Sequence, residues 1–226
     1  MRSVDGWWVT DSATWNPEVR AVKTAQVEFV MPFVHGRRLA ISAGAWNGLF
    51  PAELARHFER VLAFEPDPAN HLCAQRNLEP LRTRVQLRHA MLTERSGVGE
   101  LAPAADGLHY VAGAEREAIT VPALAIDDLE LDRCDLILLD VEGYEHKVLQ
   151  GAERTLERCR PTLMLEENEL CFRYGRGRGD VRRWLESRGY RYIGEWTTLP
   201  PEIQNDGFRG SDLIFVPEYC VPSEAR

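Results

Sequence analysis

The feature that most constrains the fold is the unbroken apolar run Leu136–Leu139, which has an acid at each end in the stretch CDLILLD, residues 134–140. A strand with one face in water alternates apolar and polar residues, whereas an unbroken apolar strand is buried on both faces. Strands of that kind belong to parallel sheets that are covered by helices on both sides. The run therefore predicts a central strand of an α/β fold.

Other short apolar runs alternate with segments of helical periodicity along the 226 residues, as in a mostly parallel sheet flanked by helices. Strands are predicted for residues 38–42, 61–65, 85–91, 134–140 and 161–167, and for residues 191–196 and 211–217, which can pair antiparallel. Helices are predicted for residues 17–34, 47–57, 68–77, 144–159 and 180–190. Residues 96–118, rich in glycine, alanine and proline, form an insertion that can hold short antiparallel strands. We expect a single domain, residues 1–226, in which residues 1–36 are a helical extension or lid on a core of residues 37–226.

The composition indicates a soluble protein without a membrane span. No window of the sequence approaches the roughly 18 unbroken apolar residues that a membrane helix needs. The first residues are acidic and aromatic, unlike a signal peptide, and the five cysteines are scattered without the spacing of a zinc site or a disulfide framework. We therefore expect a cytoplasmic location. The net charge of −8 disfavours a nucleic-acid partner, because binding phosphates needs a basic surface.

The stretch AISAGAWNGLF, residues 40–50, has the pattern of a ligand-binding loop at the end of a strand. Glycines at such a turn allow positive φ and a close approach of backbone N–H groups to a ligand. An acid about 20 residues beyond the glycines is well placed to accept hydrogen bonds from a ribose, and Glu65 has that spacing from Gly44. Two readings stay open for the glycines, a structural turn and a cofactor loop. Asp67, directly before Pro68, is predicted to cap a helix.

The spacing of the glycines separates two adenosine-containing cofactors. A Gly-x-Gly-x-x-Gly loop would favour NAD, whose pyrophosphate needs a close backbone approach. Here the pattern is Gly-x-x-x-Gly, and Trp46 in its middle crowds a pyrophosphate site. The loop favours S-adenosylmethionine over NAD.

Acidic residues gather after the central strand, where DVEGYEHKVLQGA, residues 140–152, begins with Asp140, Glu142 and Glu145. This stretch, with the apolar strand that follows it and ends in Glu166, closely resembles the FkbM-type methyltransferases. The segments AFEPDP and AIDDL, and the Gly-Tyr pair before the closing strands, agree with that resemblance, which covers residues 39–192. FkbM-type proteins are class I S-adenosylmethionine-dependent enzymes, many of which methylate hydroxyl oxygens of sugars or natural products.

The resemblance implies a Rossmann-like class I methyltransferase fold with a mostly parallel seven-stranded sheet, helices on both faces and an antiparallel terminal strand pair. It implies that the cofactor contacts the loop after the first core strand, the ribose-binding acid, the end of the third core strand and the acid after the central strand. These residues are Ser42, Gly44, Ala45, Trp46, Asn47, Gly48, Glu65, Ala90, Met91 and Asp140. Two residues depart from the family pattern, which usually has aspartate at position 42 and asparagine at position 46. Ser42 lacks the charge that would pair with the cofactor's ammonium. The asparagine that the family has at position 46 is found one residue later in this chain, as Asn47.

Methyl transfer to oxygen requires alignment of the acceptor and removal of its proton. Asp140, Glu142 and Glu166 are the candidate bases or orienting groups, although acids at a helix start also complement the helix dipole. His146, one turn into a helix, is more typical of a solvent-facing residue.

A metal is a minor option. Asp140, Glu167 and Asn168 offer the hard oxygen ligands that Mg²⁺ prefers, similar to catechol-type O-methyltransferases. FkbM-type enzymes do not in general imply a metal.

Several functions remain open at this stage. The first is O-methylation of a sugar, glycan or small natural product, and the second is a catalytically inactive methyltransferase fold with an altered cofactor loop. An RNA ribose methyltransferase would use a Lys-Asp-Lys-Glu set, which the two lysines, Lys23 and Lys147, and the acidic charge disfavour. The tryptophans Trp7, Trp8 and Trp15 would either cover a sugar or pack the leading helix. Arg173, Arg176 and Arg178 would either hold an acidic acceptor or lie in a solvated loop.

Overall fold

A computed structural model describes residues 1–13, 15–103, 109–111, 118–196 and 211–218. Thirteen strands and six α-helices lie in these residues. The strands are β1 Arg2–Val4, β2 Trp7–Val9, β3 Leu39–Ala43, β4 Arg60–Phe64, β5 Val85–Arg88, β6 Met91–Leu92, β7 Gly97–Pro103, β8 His109–Val111, β9 Ile119–Leu124, β10 Leu136–Leu139, β11 Thr162–Glu167, β12 Tyr190–Trp196 and β13 Ser211–Pro217. The helices are α1 Pro17–Val30, α2 Leu49–Leu54, α3 Pro68–Leu78, α4 Glu145–Gln150, α5 Glu153–Cys159 and α6 Asp180–Glu186.

The main sheet has seven strands in the order β12-β13-β11-β10-β3-β4-β5. The five strands from β11 to β5 are parallel, whereas β13 runs antiparallel to both of its neighbours. All four residues of β10 are buried, as an unbroken apolar run at the centre of a sheet requires. The predicted class I fold, with its antiparallel terminal pair, is confirmed.

Helices cover both faces of the sheet. On one face α1, α2 and α3 pack through residues such as Val27, Phe50 and Leu78. On the other face α4, α5 and α6 pack through residues such as Leu149 and Leu156. Because the strands alternate their side chains, Leu138 faces the first group of helices, and Leu139 faces the second.

The predicted helix over residues 144–159 is wrong in one respect, since it is broken into α4 and α5 at Gly151. A Cβ at Gly151 would lie 2.1 Å from the carbonyl oxygen of Thr93, so the chain passes too close to its neighbour for a side chain. The new helix start is capped from outside, because the Asp127 carboxylate accepts hydrogen bonds from the Arg154 and Thr155 amides.

The predicted strand over residues 85–91 is also divided. Residues 85–88 form β5 in the main sheet, and Met91 begins β6 in a separate four-stranded sheet with the order β6-β9-β7-β8. Within the described part of the insertion, β7 and β8 pair antiparallel in this second sheet, as predicted for short strands there. The sheet also includes β9, a strand that the sequence analysis did not predict. The helix predicted for residues 47–57 is α2, Leu49–Leu54, and that predicted for residues 17–34 is α1 followed by a 3-10 turn.

The first residues form a β-hairpin that the periodicity did not indicate. Strands β1 and β2 pair antiparallel around Asp5 and Gly6, both with positive φ. Asn77 of α3 holds the hairpin, accepting from the Trp8 amide and donating to its carbonyl at 2.8 Å each. The division of the chain into one domain with an N-terminal lid stays a prediction.

Candidate functional site

The glycine loop, residues 44–48, lies where β3 ends, between the ends of the two neighbouring strands. The Gly44 and Ala45 amides donate to the carbonyl oxygen of Phe64 at the end of β4. On the other side a Cβ at Gly44 would lie 1.7 Å from the carbonyl oxygen of Asp140, directly after β10. Only glycine fits at position 44, because a side chain there would clash with Asp140. The absence of that side chain lets the loop lie directly against Asp140.

Glu65 connects the glycine loop to the end of β4. Its carboxylate accepts hydrogen bonds from the Trp46 amide at 2.6 Å and from the Asp67 amide at 2.9 Å. Burial raises the pKa of Glu65 to about 8, against the opposing effect of these two hydrogen bonds. The ribose contact predicted for Glu65 stays a prediction. Asp67 caps α3 as predicted, by accepting from the Asn70 amide at 2.6 Å.

Two buried polar side chains in and beside the loop lack a protein partner. Ser42 and Asn47 are 0% and 1% exposed, and among the described residues neither the Ser42 hydroxyl nor the Asn47 amide group has a hydrogen-bond partner. Buried polar groups are normally hydrogen-bonded, so an unpaired pair next to a glycine loop requires an explanation. A polar ligand in the loop would satisfy both.

Backbone strain marks the same region. Five described residues other than glycine have positive φ, and three of them are explained by local structure: Asp5 by the hairpin turn, and Glu130 and Arg160 by the ends of helices. The other two are Trp46, with φ 48°, and Glu142, with φ 58°. They lie in the loops after β3 and β10. Strained residues of this kind cluster at functional sites.

Three carboxylates form a row across adjacent strands, at the edge where β10 and β11 end and the antiparallel β13 begins. Glu166 of β11 pairs directly with Asp212 of β13. The pairing of Leu139 with Leu165 puts the next residue, Asp140, level with Glu166. By strand alternation, all three side chains lie on the face covered by α1. We call Asp140, Glu166 and Asp212 the carboxylate row. Two unit charges about 5 Å apart repel by roughly 3 kcal/mol at an effective dielectric constant of about 20, so the row needs protons or a cation.

Lys23 of α1 supplies the cation. Its ammonium donates to Asp140 at 3.2 Å and lies 4.3 Å from the ring centre of Phe50. Burial lowers the pKa of Lys23, but the carboxylates of the row outweigh that effect and raise it overall. One helical turn further on, the Gln26 amide donates to Asp212.

The two other acids of the row hold their protons more tightly than usual. Burial, followed by the charge of Asp140, raises the pKa of Glu166 well above its ordinary value. Burial also raises the pKa of Asp212 to about 6, although Lys23 acts in the opposite direction. Glu166 is thus a strong proton acceptor once it is ionised.

Glu145 has a structural position. It is 3% exposed, and one carboxylate oxygen accepts from the Val141 amide at 3.0 Å and the Gly143 amide at 3.4 Å. Burial raises its pKa to about 8. Glu145 therefore fixes the turn that carries Glu142, and Glu142 contributes to the negative field at Glu166.

The arrangement does not support the magnesium option. Asp140 binds Lys23, the Glu167 carboxylate accepts from the Gly179 amide at 2.8 Å, and Asn168 donates to Glu166 at 2.7 Å. Asn168 also caps the following 3-10 helix. Within the described part of the chain, no group of three or more His, Cys, Asp or Glu side chains is arranged to hold a metal ion.

Ala90 and Met91, predicted to lie beside an adenine, are both buried. The Ala90 side chain lies in the core beneath α4–α6. The Met91 side chain packs against other side chains of the second sheet, to which Met91 itself belongs. Their side chains therefore contribute to packing, and the contact with a cofactor stays a prediction.

His146 does not face solvent as expected. It is 4% exposed and its ring lies 5.5 Å from that of Trp184. Burial and the charge of Arg176 lower the pKa of His146 to about 4, so the ring is neutral at pH 7. In the loop that carries Arg173, Arg176 and Arg178, the guanidinium of Arg178 lies 3.7 Å from the carboxylate of Glu169.

Of the three N-terminal tryptophans, Trp15 packs against the glycine loop. Trp7 stacks on Trp15 with ring centres 6.2 Å apart, and Trp15 contacts Trp46 at 5.9 Å. Trp8 lies under the guanidinium of Arg76 on α3. Trp15 thus connects the hairpin to the loop, and a contact of these rings with a sugar stays a prediction.

Sequence reasoning missed three residues of the site, namely Lys23, Gln26 and Asp212. The scarcity of lysine was the one available signal, because Lys23 is one of two lysines. The other, Lys147, donates to Glu94 at 3.0 Å rather than to the row.

Comparison with known proteins agrees with this geometry. Residues 43–192 match the family described as methyltransferase FkbM domain. The matched segment contains the glycine loop, Asp140 and Glu166, but neither α1 nor β13. No curated protein sequence matches the chain. Within the described residues, no helix is both long and apolar enough to cross a membrane.

Solved structures share the fold at low identity. The methyltransferase FkbM from Methylobacillus flagellatus KT aligns with a TM-score of 0.57 and 20% identity, over 80% of this chain and 43% of that protein. A putative O-methyltransferase from Klebsiella pneumoniae aligns at 0.53 and 15%, over 92% and 84% of the two chains. A putative methyltransferase from Streptococcus mutans, in complex with SAH, aligns at 0.50 and 12%, over 90% and 98%. This chain therefore spans less than half the length of the first of these proteins.

Proposed function

The chain belongs to the FkbM methyltransferase family, and we propose that it transfers the methyl group of S-adenosylmethionine to a hydroxyl of a sugar, glycan or small natural product. The observation that carries this proposal is the contact between Gly44 and the Asp140 carbonyl. It joins a loop suited to a cofactor with a row of carboxylates suited to proton removal.

The loop residues fit the cofactor's polar amino-acid part. The unpaired Ser42 hydroxyl and Asn47 amide are a donor and acceptor set without a charge, and they would bind its ammonium and carboxylate. Glu65 would accept from the ribose hydroxyls after giving up its hydrogen bond to Trp46. Bound S-adenosylmethionine supplies an electrophilic methyl group on a sulfonium.

The carboxylate row would act on the acceptor. Asp140 lies beside the loop and is held by Lys23, so it would orient the acceptor hydroxyl. Glu166 would take the hydroxyl proton, because a base with a raised pKa removes a proton from a weak acid more readily. Glu166 must first be ionised, and we therefore expect the rate to increase as the pH rises through the raised pKa of Glu166.

Calorimetric titration with S-adenosylmethionine and with S-adenosylhomocysteine tests the cofactor assignment. We expect micromolar binding by the wild type and at least a 10-fold loss in Glu65→Ala, which lacks the ribose acceptor. Glu59→Ala is the matched control, because Glu59 is exposed and precedes β4. Thermal melts must show that each variant is folded. A folded wild type that binds neither compound would refute the proposal.

Screening of hydroxyl acceptors, with EDTA and with Mg²⁺, then tests the reaction. The second candidate function, a catalytically inactive binding protein, rests on Ser42 in place of the family's usual acid and on the engagement of Glu65 by the Trp46 amide. Tight binding without transfer to any hydroxyl acceptor would favour this candidate.

A further inference from the structure

The row is completed from outside the segment that matches the family. The match ends at residue 192 and begins at residue 43, whereas Lys23 and Gln26 lie on α1 and Asp212 lies on β13. Two polar residues of α1 reach the row, Lys23 at Asp140 and Gln26 at Asp212. They are three positions apart, so they lie on the same side of the helix.

The position of α1 is fixed by its apolar residues. Val27 and Val30 are fully buried in the core beneath α1–α3. The Lys23 side chain is 21% exposed, and it lies across the ring of Phe50 with its ammonium against Asp140. An amphipathic helix would place a lysine in water if it had no partner, because burying an ammonium is costly unless it is paired. The charge of the row is what keeps Lys23 there.

We propose that Lys23 is a positioning residue for methyl transfer, which fixes the Asp140 carboxylate beside the glycine loop and balances the charge of the row. This inference rests on the proposed function. Among the described residues, every charged group that acts on Lys23 is an acid: Asp140 after β10, Glu166 on β11 and Asp212 on β13. In this part of the chain one cation faces three acids, so it holds one of them as a stable anion and leaves the other two able to share protons. Asp140, at 3.2 Å, is the acid so held.

The test compares Lys23→Met, Lys23→Arg and Lys147→Met in the full chain. Methionine keeps the unbranched side chain and most of its length without the charge, and Lys147→Met removes the other lysine, which pairs with Glu94. In Lys23→Met we expect kcat to decrease about 10- to 100-fold, the effect of misplacing a reacting group by about 1 Å. The KM for the acceptor and the Kd for S-adenosylhomocysteine should stay within about 3-fold. Lys23→Arg should recover part of the loss, and Lys147→Met should behave as wild type.

A thermal double-mutant cycle tests the pairing without using activity. Lys23→Met, Asp140→Asn and the double variant should give melting-temperature shifts that deviate from additivity by about 2–4 °C, because the two side chains interact directly. Additive shifts would overturn the pairing. An unchanged kcat in Lys23→Met, with an active wild type, would overturn the positioning role, as would an effect confined to KM. A wild type that binds S-adenosylhomocysteine but methylates no hydroxyl acceptor would instead remove the proposed function, and this role with it.

Discussion

Replacing Gly44 by alanine tests whether the glycine loop can lie against the end of β10 only because residue 44 has no side chain. Gly44 has φ 76°, and a Cβ there would lie 1.7 Å from the Asp140 carbonyl oxygen. The backbone conformation costs an alanine about 1–2 kcal/mol, and forced movement of packed atoms adds about 1–3 kcal/mol. We therefore expect Gly44→Ala to lower the free energy of unfolding by about 2–5 kcal/mol.

Gly175→Ala is the matched control for this change. Gly175 has φ 68°, and nothing lies within 4 Å of the position of its Cβ. Only the backbone term applies there, so its loss should be about 1–2 kcal/mol. Urea unfolding measures both variants, and thermal melts should show the difference at about 2–4 °C per kcal/mol for a chain of this size. Equal losses in the two variants would refute the close approach of the loop to β10.

Two further changes test other parts of the site. Glu145→Gln keeps the oxygen that binds the Val141 and Gly143 amides. The folded pKa of Glu145 is raised from 4.5 to about 8, so its contribution to stability is complete below pH 4.5 and is lost as the pH rises to about 8. In urea unfolding, the free energy of unfolding of Glu145→Gln should therefore rise relative to that of wild type by up to about 4 kcal/mol between pH 5 and pH 9. For the exposed control Glu157→Gln, the difference from wild type should not change with pH. A difference that does not change with pH for Glu145→Gln would contradict burial as the cause of its raised pKa. Asn77→Ala removes both hydrogen bonds to Trp8 and should cost about 1–3 kcal/mol, with faster hydrogen exchange at the Trp8 amide; unchanged exchange would show that Asn77 does not hold the hairpin.

Local patterns in the sequence were sufficient for the class of fold. The unbroken apolar run of β10 requires burial on both faces, and burial on both faces requires helices on each side of a parallel sheet. Because β10 and β11 are parallel, the acids at their carboxyl ends were expected at one edge of the sheet, where the structure has Asp140 and Glu166. The segment that resembles FkbM-type proteins, residues 39–192, nearly coincides with the matched residues 43–192.

Other features depended on contacts that no local pattern records. Helical periodicity continues through Gly151, yet α4 ends there, at a point where the Thr93 carbonyl occupies the space of a side chain. Likewise, β5 and β6 read as one strand, although they hydrogen-bond to different sheets.

The sequence by itself determined the parallel sheet, the family and the acids at the strand ends, because each depends on residues close together along the chain. Only the tertiary structure decided which residues meet those acids. Lys23 is 117 positions from Asp140, and Gln26 is 186 positions from Asp212. A polar side chain at such a distance follows no periodicity, and its partner is set by how α1 and β13 pack on the finished sheet.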